Sequence, residues 1–513
     1  MTKHSYAAKA FSLLLALVLT LSLAVNSAAA VSFQDMNPKD DALLGTKFNV
    51  DATITLVTGK DGKDVSLSIP VSGMSKEALA AAITAGTVTL ALERDDSRPY
   101  VNEELFPYAY AGGDLNSWMI EGKDEHQFTD IKLTANEKNG KAVLDVSFHV
   151  NNYFYSTNRR TGETTPDYSV PHVNGSYYID LCGYFDLTAK NSGKAIGSAP
   201  VKVAPYENFN TMWEIYKELD TIAANGTKNG LYVERFSMGQ STAGRDMPYL
   251  IVADSKASVS KWLALTEQAE TDPDAVLAQI KSGALNDIRV PVMYSNIHSN
   301  EVSATDGVLD FAKMITSEKT IDYKTLTGFT AAGEKELKEE MGPVGAEGSV
   351  AVPDLVKDTA SYLGYLSADN NGKSGKVDLE KYYTVKSNTV NVKDELLSDV
   401  FFVLVPEENV DGRTYLTRHS TNGYDLNRDN SFQTTSETAN MQQLIGTYNP
   451  LSLTEFHGRV QAFQCEPCDP PHEPNFEYDL LANHLITGGE ALGIAAVANN
   501  DGYNSYVIPQ RDY

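Results

Sequence analysis

Apolar and polar residues alternate in short runs over the first part of the chain. Thr53 to Val57, Val65 to Val71 and Val143 to Val150 each put apolar residues on one face and are separated by turn-forming stretches such as Gly59-Lys60-Asp61-Gly62. A period of two, broken by Gly, Asn and Asp, predicts a β-rich module over residues 31–203 with one helix near Lys76 to Ala85. After Pro205 the period changes. Met212, Ile215, Tyr216, Leu219 and Ile222 recur at helical spacing behind Thr211-x-x-Glu214, a capping-box pattern, and Gly226 is the expected stop.

Strand-like runs then follow at Leu231 to Phe236, Met247 to Ala253, Ile288 to Ile297, Val400 to Val405 and Leu451 to Phe456, with helical runs between, including Val302 to Ile315. Strands alternating with helices predict an α/β domain over residues 204–513, a mostly parallel or mixed sheet with helices on both faces, preceded by the β-rich accessory domain. In such sheets a ligand site lies beyond the carboxyl ends of the strands. Residues 317–397 break the rhythm. They are rich in Lys, Glu, Gly and Asp with few strong strands, and are expected to be an insertion. Within them Asp369 to Asp378 does not place oxygen ligands at the alternating positions of a calcium loop, so a solvated turn is expected there.

The N-terminus stands apart. Lys3, His4 and Lys9 precede an apolar run from Phe11 to Val25, and Ala28-Ala29-Ala30 closes the segment. That reads as a secretory signal, residues 1–30, cleaved after Ala30, and the run is shorter than the ~20 residues a bilayer-spanning helix needs. A secreted, extracellular protein with no membrane span after signal cleavage is expected. The net charge of −26 becomes more negative on cleavage, since the signal carries two Lys and no acid, and it disfavours nucleic acid and anionic surfaces as partners. Three Cys in 513 residues cannot frame the fold, so a hydrophobic core must hold it. Cys465 and Cys468, in C-x-x-C spacing, are expected to form a local disulfide, the alternatives being free thiols or a metal pair.

Of nine His, His298 alone has a Glu three places on, Glu301, and the pair sits where a buried strand meets a helix. An imidazole and a carboxylate emerging together there can bind a divalent ion; a helix-capping His is the alternative. His457 ends the last strand-like run. Two His and one carboxylate would leave a fourth position open, as in catalytic zinc sites, whereas structural sites are closed by four protein ligands.

His298-Ser299-Asn300-Glu301, Asn409-Val410-Asp411-Gly412, Arg418 with Gly423-Tyr424-Asp425-Leu426-Asn427-Arg428, and Glu455-Phe456-His457-Gly458 occur in one order, after Ser237 to Asp246. Together they resemble the zinc carboxypeptidases of the carboxypeptidase A kind, over residues 205–457. The resemblance implies one Zn²⁺ held by His298, Glu301 and His457, with Asp425 accepting the second ring N–H of His298. It implies further that Arg418 polarises the scissile carbonyl and that Asn427 and Arg428 grip the carboxylate of a peptide or protein with a free C-terminus. Arg suits that task because its planar fork matches a carboxylate bidentately.

Val410 stands where the family usually has Pro. The family's general-base Glu usually lies farther beyond the second His than the residues between His457 and Tyr513 reach, so no base is assigned and one is expected beyond Tyr513. Glu466, Glu473, Glu477 and Glu490 do not follow strand-like runs, and Glu455 shares a strand face with His457 as a supporting group more than a base. The catalytic domain is expected to be incomplete at its C-terminus. The expected function is that of a zinc metallocarboxypeptidase. The alternatives are a cell-wall peptide hydrolase of the same family, or a non-catalytic binder of zinc and carboxylates that lacks the base.

Overall fold

The structure, a computed structural model, describes residues 50–94, 112–120, 123–153, 155–157, 161–166, 182–340, 378–415 and 418–457, with 495–496 and 498–499. The expected signal, the Asp369 to Val377 turn, the Cys465/Cys468 pair and Tyr513 lie outside them. Among the described residues no helix is long and apolar enough to cross a membrane.

The first part builds two sheets. One contains β1 (Ala52–Thr55), β3 (Val88–Arg94), β4 (Gly112–Asp114), β9 (Gly183–Asn191) and β10 (Lys194–Ala204) in the order β1-β10-β9-β3-β4. The other contains β2 (Lys63–Pro70), β5 (Phe128–Lys138) and β6 (Lys141–Val150) in the order β2-β6-β5. β7 (Tyr155–Thr157) and β8 (Thr164–Pro166) form a small separate hairpin. On β2 the side chains of Val65, Leu67 and Ile69 are buried while Ser66 and Ser68 face solvent, the alternation that the pleat imposes. They join Ile54, Leu144, Phe148, Leu187 and Val201 in one core, which also takes in Phe209 and Val302 from the region that follows. Helix α1 (Lys76–Thr84) begins at Ser75, whose hydroxyl caps the Ala78 amide.

The second sheet system has the order β11-β12-β16-β13-β17, from β11 (Tyr232–Gln240), β12 (Asp246–Ala253), β13 (Val290–Ser295), β16 (Val400–Val405) and β17 (Ser452–Glu455). It is mixed and not mostly parallel. β13 runs parallel to both β16 and β17, but β12 is antiparallel to β11 and to β16. For β11 and β12 the reason is the short turn at 241–245, which can join only antiparallel neighbours. Of the helices, α3 (Lys256–Thr271) and α4 (Pro273–Ser282) pack on each other, and α2 (Met212–Lys228) and α5 (Val302–Ser317) pack together on one side, against β11, β12, β13 and β16. Val259 of α3 and Met441, Leu444 and Tyr448 of the helix Ser436–Tyr448 share a core with Ile251, Phe401 and Val403. Covered strands read as continuous apolar runs, as β12 and β16 do.

The Thr211–Glu214 capping box forms in both directions. Gly226, however, does not end α2; the helix runs on to Lys228 and is capped by Asn229. Gly226 is buried where α2 crosses β11, and a Cβ there would lie 2.3 Å from Val233 Cγ2. Close approach, not termination, explains the glycine. Gly226→Ala should cost about 1–3 kcal/mol through overpacking, read as a lowered urea midpoint, whereas a gain in stability from better helix propensity would contradict this.

The described residues of 318–396 belong to a unit of their own. Its described residues include one antiparallel pair, β14 (Thr320–Phe329) and β15 (Tyr383–Asn391). Both strands are rich in polar residues and mix half-buried with exposed positions, so no hydrophobic alternation betrayed them. Lys324 of β14 exchanges backbone hydrogen bonds with the side-chain amide of Asn499.

Candidate metal centre

The parallel register of three strands sets the site. Ser295 at the end of β13 stands level with Val405 of β16 on one side and Glu455 of β17 on the other. The residues just past those ends therefore come together: His298 and Glu301 after β13, Glu407 to Asn409 after β16, and His457 after β17. Asn296 binds the three strand ends, because its side-chain amide donates to Phe456 O, its backbone amide to Val405 O, and its carbonyl accepts from the Glu408 amide.

His298 Nδ1, a Glu301 carboxylate oxygen and His457 Nδ1 converge, all within 4.8 Å of one another. His457 Nδ1 lies 3.0 Å from Glu301 Oε2 and 3.1 Å from His298 Nδ1. His298 and Glu301 are buried, while the His457 side chain keeps 34% exposure and leaves one side of the group open. Arg418 adds a cation. Its Nη1 lies 3.2 Å from both His298 Nδ1 and Glu301 Oε1, so a positive group already sits against the two donors. Asp425 stands behind: its Oδ1 is 3.1 Å from His298 Nε2, and its Oδ2 accepts from Arg418 Nε at 2.7 Å.

The electrostatics follow. Burial opposes ionisation of Glu301 and of Asp425, but hydrogen bonds from His298 and His457 to the first, and from His298 and Arg418 to the second, hold both carboxyls far below the usual range. Burial would lower His457, yet its contacts with the Glu301 and Glu455 carboxylates outweigh it and push the imidazole up to about 10. These donors, two imidazole nitrogens and one carboxylate with a fourth side open, suit a borderline-soft divalent ion.

The structure brings His298, Glu301, His457, Arg418 and Asp425 into one cluster. Asn427 and Arg428 lie on the next turn, a short 3₁₀ segment, where the Asn427 amide donates to Asp425 Oδ1. Arg428 is exposed, and its Nη1 donates to Asn427 O. Tyr513, past which the general base is expected, lies outside the described residues, as do Glu466, Glu473, Glu477 and Glu490, so no general base is placed in the cluster. Two other motifs act as fasteners. Asn409 donates from its side chain to Arg418 O and accepts from the Gly412 amide. Asp411, fully buried, accepts from Ser241 Oγ, the Ala243 amide and Arg245 Nη1, which holds the turn between β11 and β12.

Sequence reading assigned no role to Glu407 and Glu408, although two acids directly after an apolar strand were a visible signal. Glu407 accepts from Thr305 Oγ1 and the Asn409 amide, and burial pushes its carboxyl up to about 8. The folded chain thus keeps a proton between its ordinary value of 4.5 and about 8 that the unfolded chain has released. Stability contributed here is present at low pH and lost as pH rises through that window. Glu407→Gln, which mimics the protonated acid, should be more stable than wild type by a few kcal/mol at pH 8 and nearly equal at pH 4.5. Parallel urea curves at the two pH values check this; an unchanged difference would refute it.

No family model matches the chain, and no curated protein matches it. Among solved structures, a metallo-carboxypeptidase from Burkholderia cenocepacia is 10% identical with a TM-score of 0.28, over 82% of this chain and 64% of that one. A metallo-carboxypeptidase from Pseudomonas aeruginosa is 12% identical with a TM-score of 0.26, over 83% and 70%. Bovine thrombin-activatable fibrinolysis inhibitor is 10% identical with a TM-score of 0.28, over 56% and 72%. The chain is similar to metallo-carboxypeptidases. It spans about 64% of the length of the Burkholderia protein.

Proposed function

We propose that the chain is a secreted zinc metallocarboxypeptidase that hydrolyses C-terminal peptide bonds of extracellular peptides or proteins. One observation carries the reading: His298 Nδ1, Glu301 and His457 Nδ1 converge at the carboxyl ends of adjacent parallel strands, with the Arg418 guanidinium against two of them.

His298, Glu301 and His457 would hold the ion. When bound, zinc supplies a Lewis acid for the scissile carbonyl and acidifies a water molecule. The chain's own residues supply orientation and charge. Asp425 fixes the His298 ring by accepting at Nε2, which leaves Nδ1 for the ion. Arg418, steered by Asp425 and by Asn409 at its carbonyl, presents a cation where oxyanion charge would develop. Arg428 is exposed on the adjoining turn, and its planar fork suits the terminal carboxylate of a substrate.

Zinc content of the secreted protein and release of C-terminal amino acids from model peptides test this. A stoichiometric ion with release supports it. A metal-free, inactive protein refutes it, and a zinc-loaded protein that binds but does not cleave peptides points to the non-catalytic binder.

A further inference from the structure

His298 has a carboxylate at its outer nitrogen, and His457 has one too. Glu455 Oε1 lies 3.1 Å from His457 Nε2, on the opposite side of the ring from Nδ1. An imidazole that gives the Nδ1 lone pair to a cation carries its proton on Nε2, and that N–H then needs an acceptor. Glu455 Oε1 is such an acceptor: it is shielded from solvent and receives no aligned hydrogen bond among the described residues. A buried acceptor left unmade costs free energy, and the nearby Nε2–H is placed to satisfy it.

We propose that Glu455 is the positioning residue for His457, holding the ring with Nε2–H toward its carboxylate and Nδ1 toward the ion. The inference rests on the metal site described above. A role as general base is disfavoured by position, because Glu455 sits behind the ring and not on the Nδ1 side where reacting atoms would lie. The register explains why the pair meets: Glu455 ends β17 level with Ser295, and two residues on, at the period of a strand, His457 comes to the same face. Glu408 is also buried; burial first, and then the Glu455 charge, raise its carboxyl well above the usual range.

The test measures zinc affinity by chelator competition, and the visible spectrum of the cobalt(II) form, on the full chain and on Glu455→Gln and Glu455→Asp. Glu455→Gln should bind zinc about 10- to 100-fold more weakly and shift the cobalt bands, because an amide is a poorer acceptor. Glu455→Asp keeps the charge but withdraws it by one methylene, and should fall between the two. Wild-type affinity and an unchanged spectrum in Glu455→Gln overturn the inference alone, as does unchanged affinity with only kcat lowered, which would make Glu455 a base. If Glu455→Gln does not fold, a Glu455→Asp chain with wild-type affinity and spectrum overturns it. A wild-type chain that takes no zinc overturns the metal site and this inference together.

Discussion

Glu301→Gln is expected to strip the ion from the chain. The Glu301 side chain is 1% exposed and is gripped from both sides, Oε2 by His457 Nδ1 at 3.0 Å and Oε1 by Arg418 Nη1 at 3.2 Å. No other carboxylate joins His298 and His457 in the converging group among the described residues. An amide brings no negative charge and is a weak ligand for a divalent ion. Zinc affinity should therefore fall by more than the roughly 10- to 100-fold that loss of a supporting group costs. Metal content after dialysis against a weak chelator reads the effect directly. A Glu301→Gln chain that keeps one ion per molecule would show that the convergence of the three donors is an accident of packing. The substitution also leaves the Arg418 cation short of one buried partner, so the metal-free variant should be less stable than the metal-free wild type.

Arg413→Met is expected to cost about 3–5 kcal/mol of stability, as removal of one partner from a buried ion pair does. The Arg413 side chain is wholly buried. Nε and Nη2 both donate to Asn210 O, Nη1 donates to Val302 O, Nη2 lies 3.3 Å from Asp306 Oδ1, and the guanidinium stacks over the Phe209 ring at 4.3 Å. Met would fill the space but leave two carbonyls and one carboxylate short of donors in a dry site. The same site joins the exit of the β-rich part to the start of α5. Tyr206 also bonds Val302 O and Asp306, and Val302, the residue after Glu301, lies in the core of the β-rich part. A urea midpoint equal to that of wild type would refute the claim that this guanidinium is a main tie between the two.

The Glu301 prediction could be framed from sequence, and the Arg413 prediction could not. HxxE at the end of an apolar run, followed much later by a second His at the end of another, is visible in the letters. Arg413 is one of 42 basic residues, in a helical turn with nothing to mark it. Its partners come from Asn210, Val302 and Asp306, each about a hundred residues or more away in the chain. Glu407 and Glu408 occupy an intermediate position. Their place after β16 was legible, but their burial depends on which strands flank β16.

By itself the sequence determined the elements whose causes are local. The capping box at Thr211 and Glu214, the β2 alternation and the apolar run of β16 all follow from residues within one or two turns or a single strand. It missed β14 and β15, because a polar strand with no continuously buried face carries no hydrophobic period. It also misread Gly226, because the reason for that glycine is Val233 on another element. Tertiary structure alone decided that β13 and β17 are neighbours and that Ser295 is level with Glu455. That register places His298 Nδ1 within 3.1 Å of His457 Nδ1 and sets Glu455 behind the ring. A residue's periodicity reports whether it faces a core; strand order and register are set by the packing of the whole sheet, and the site exists only where both are satisfied.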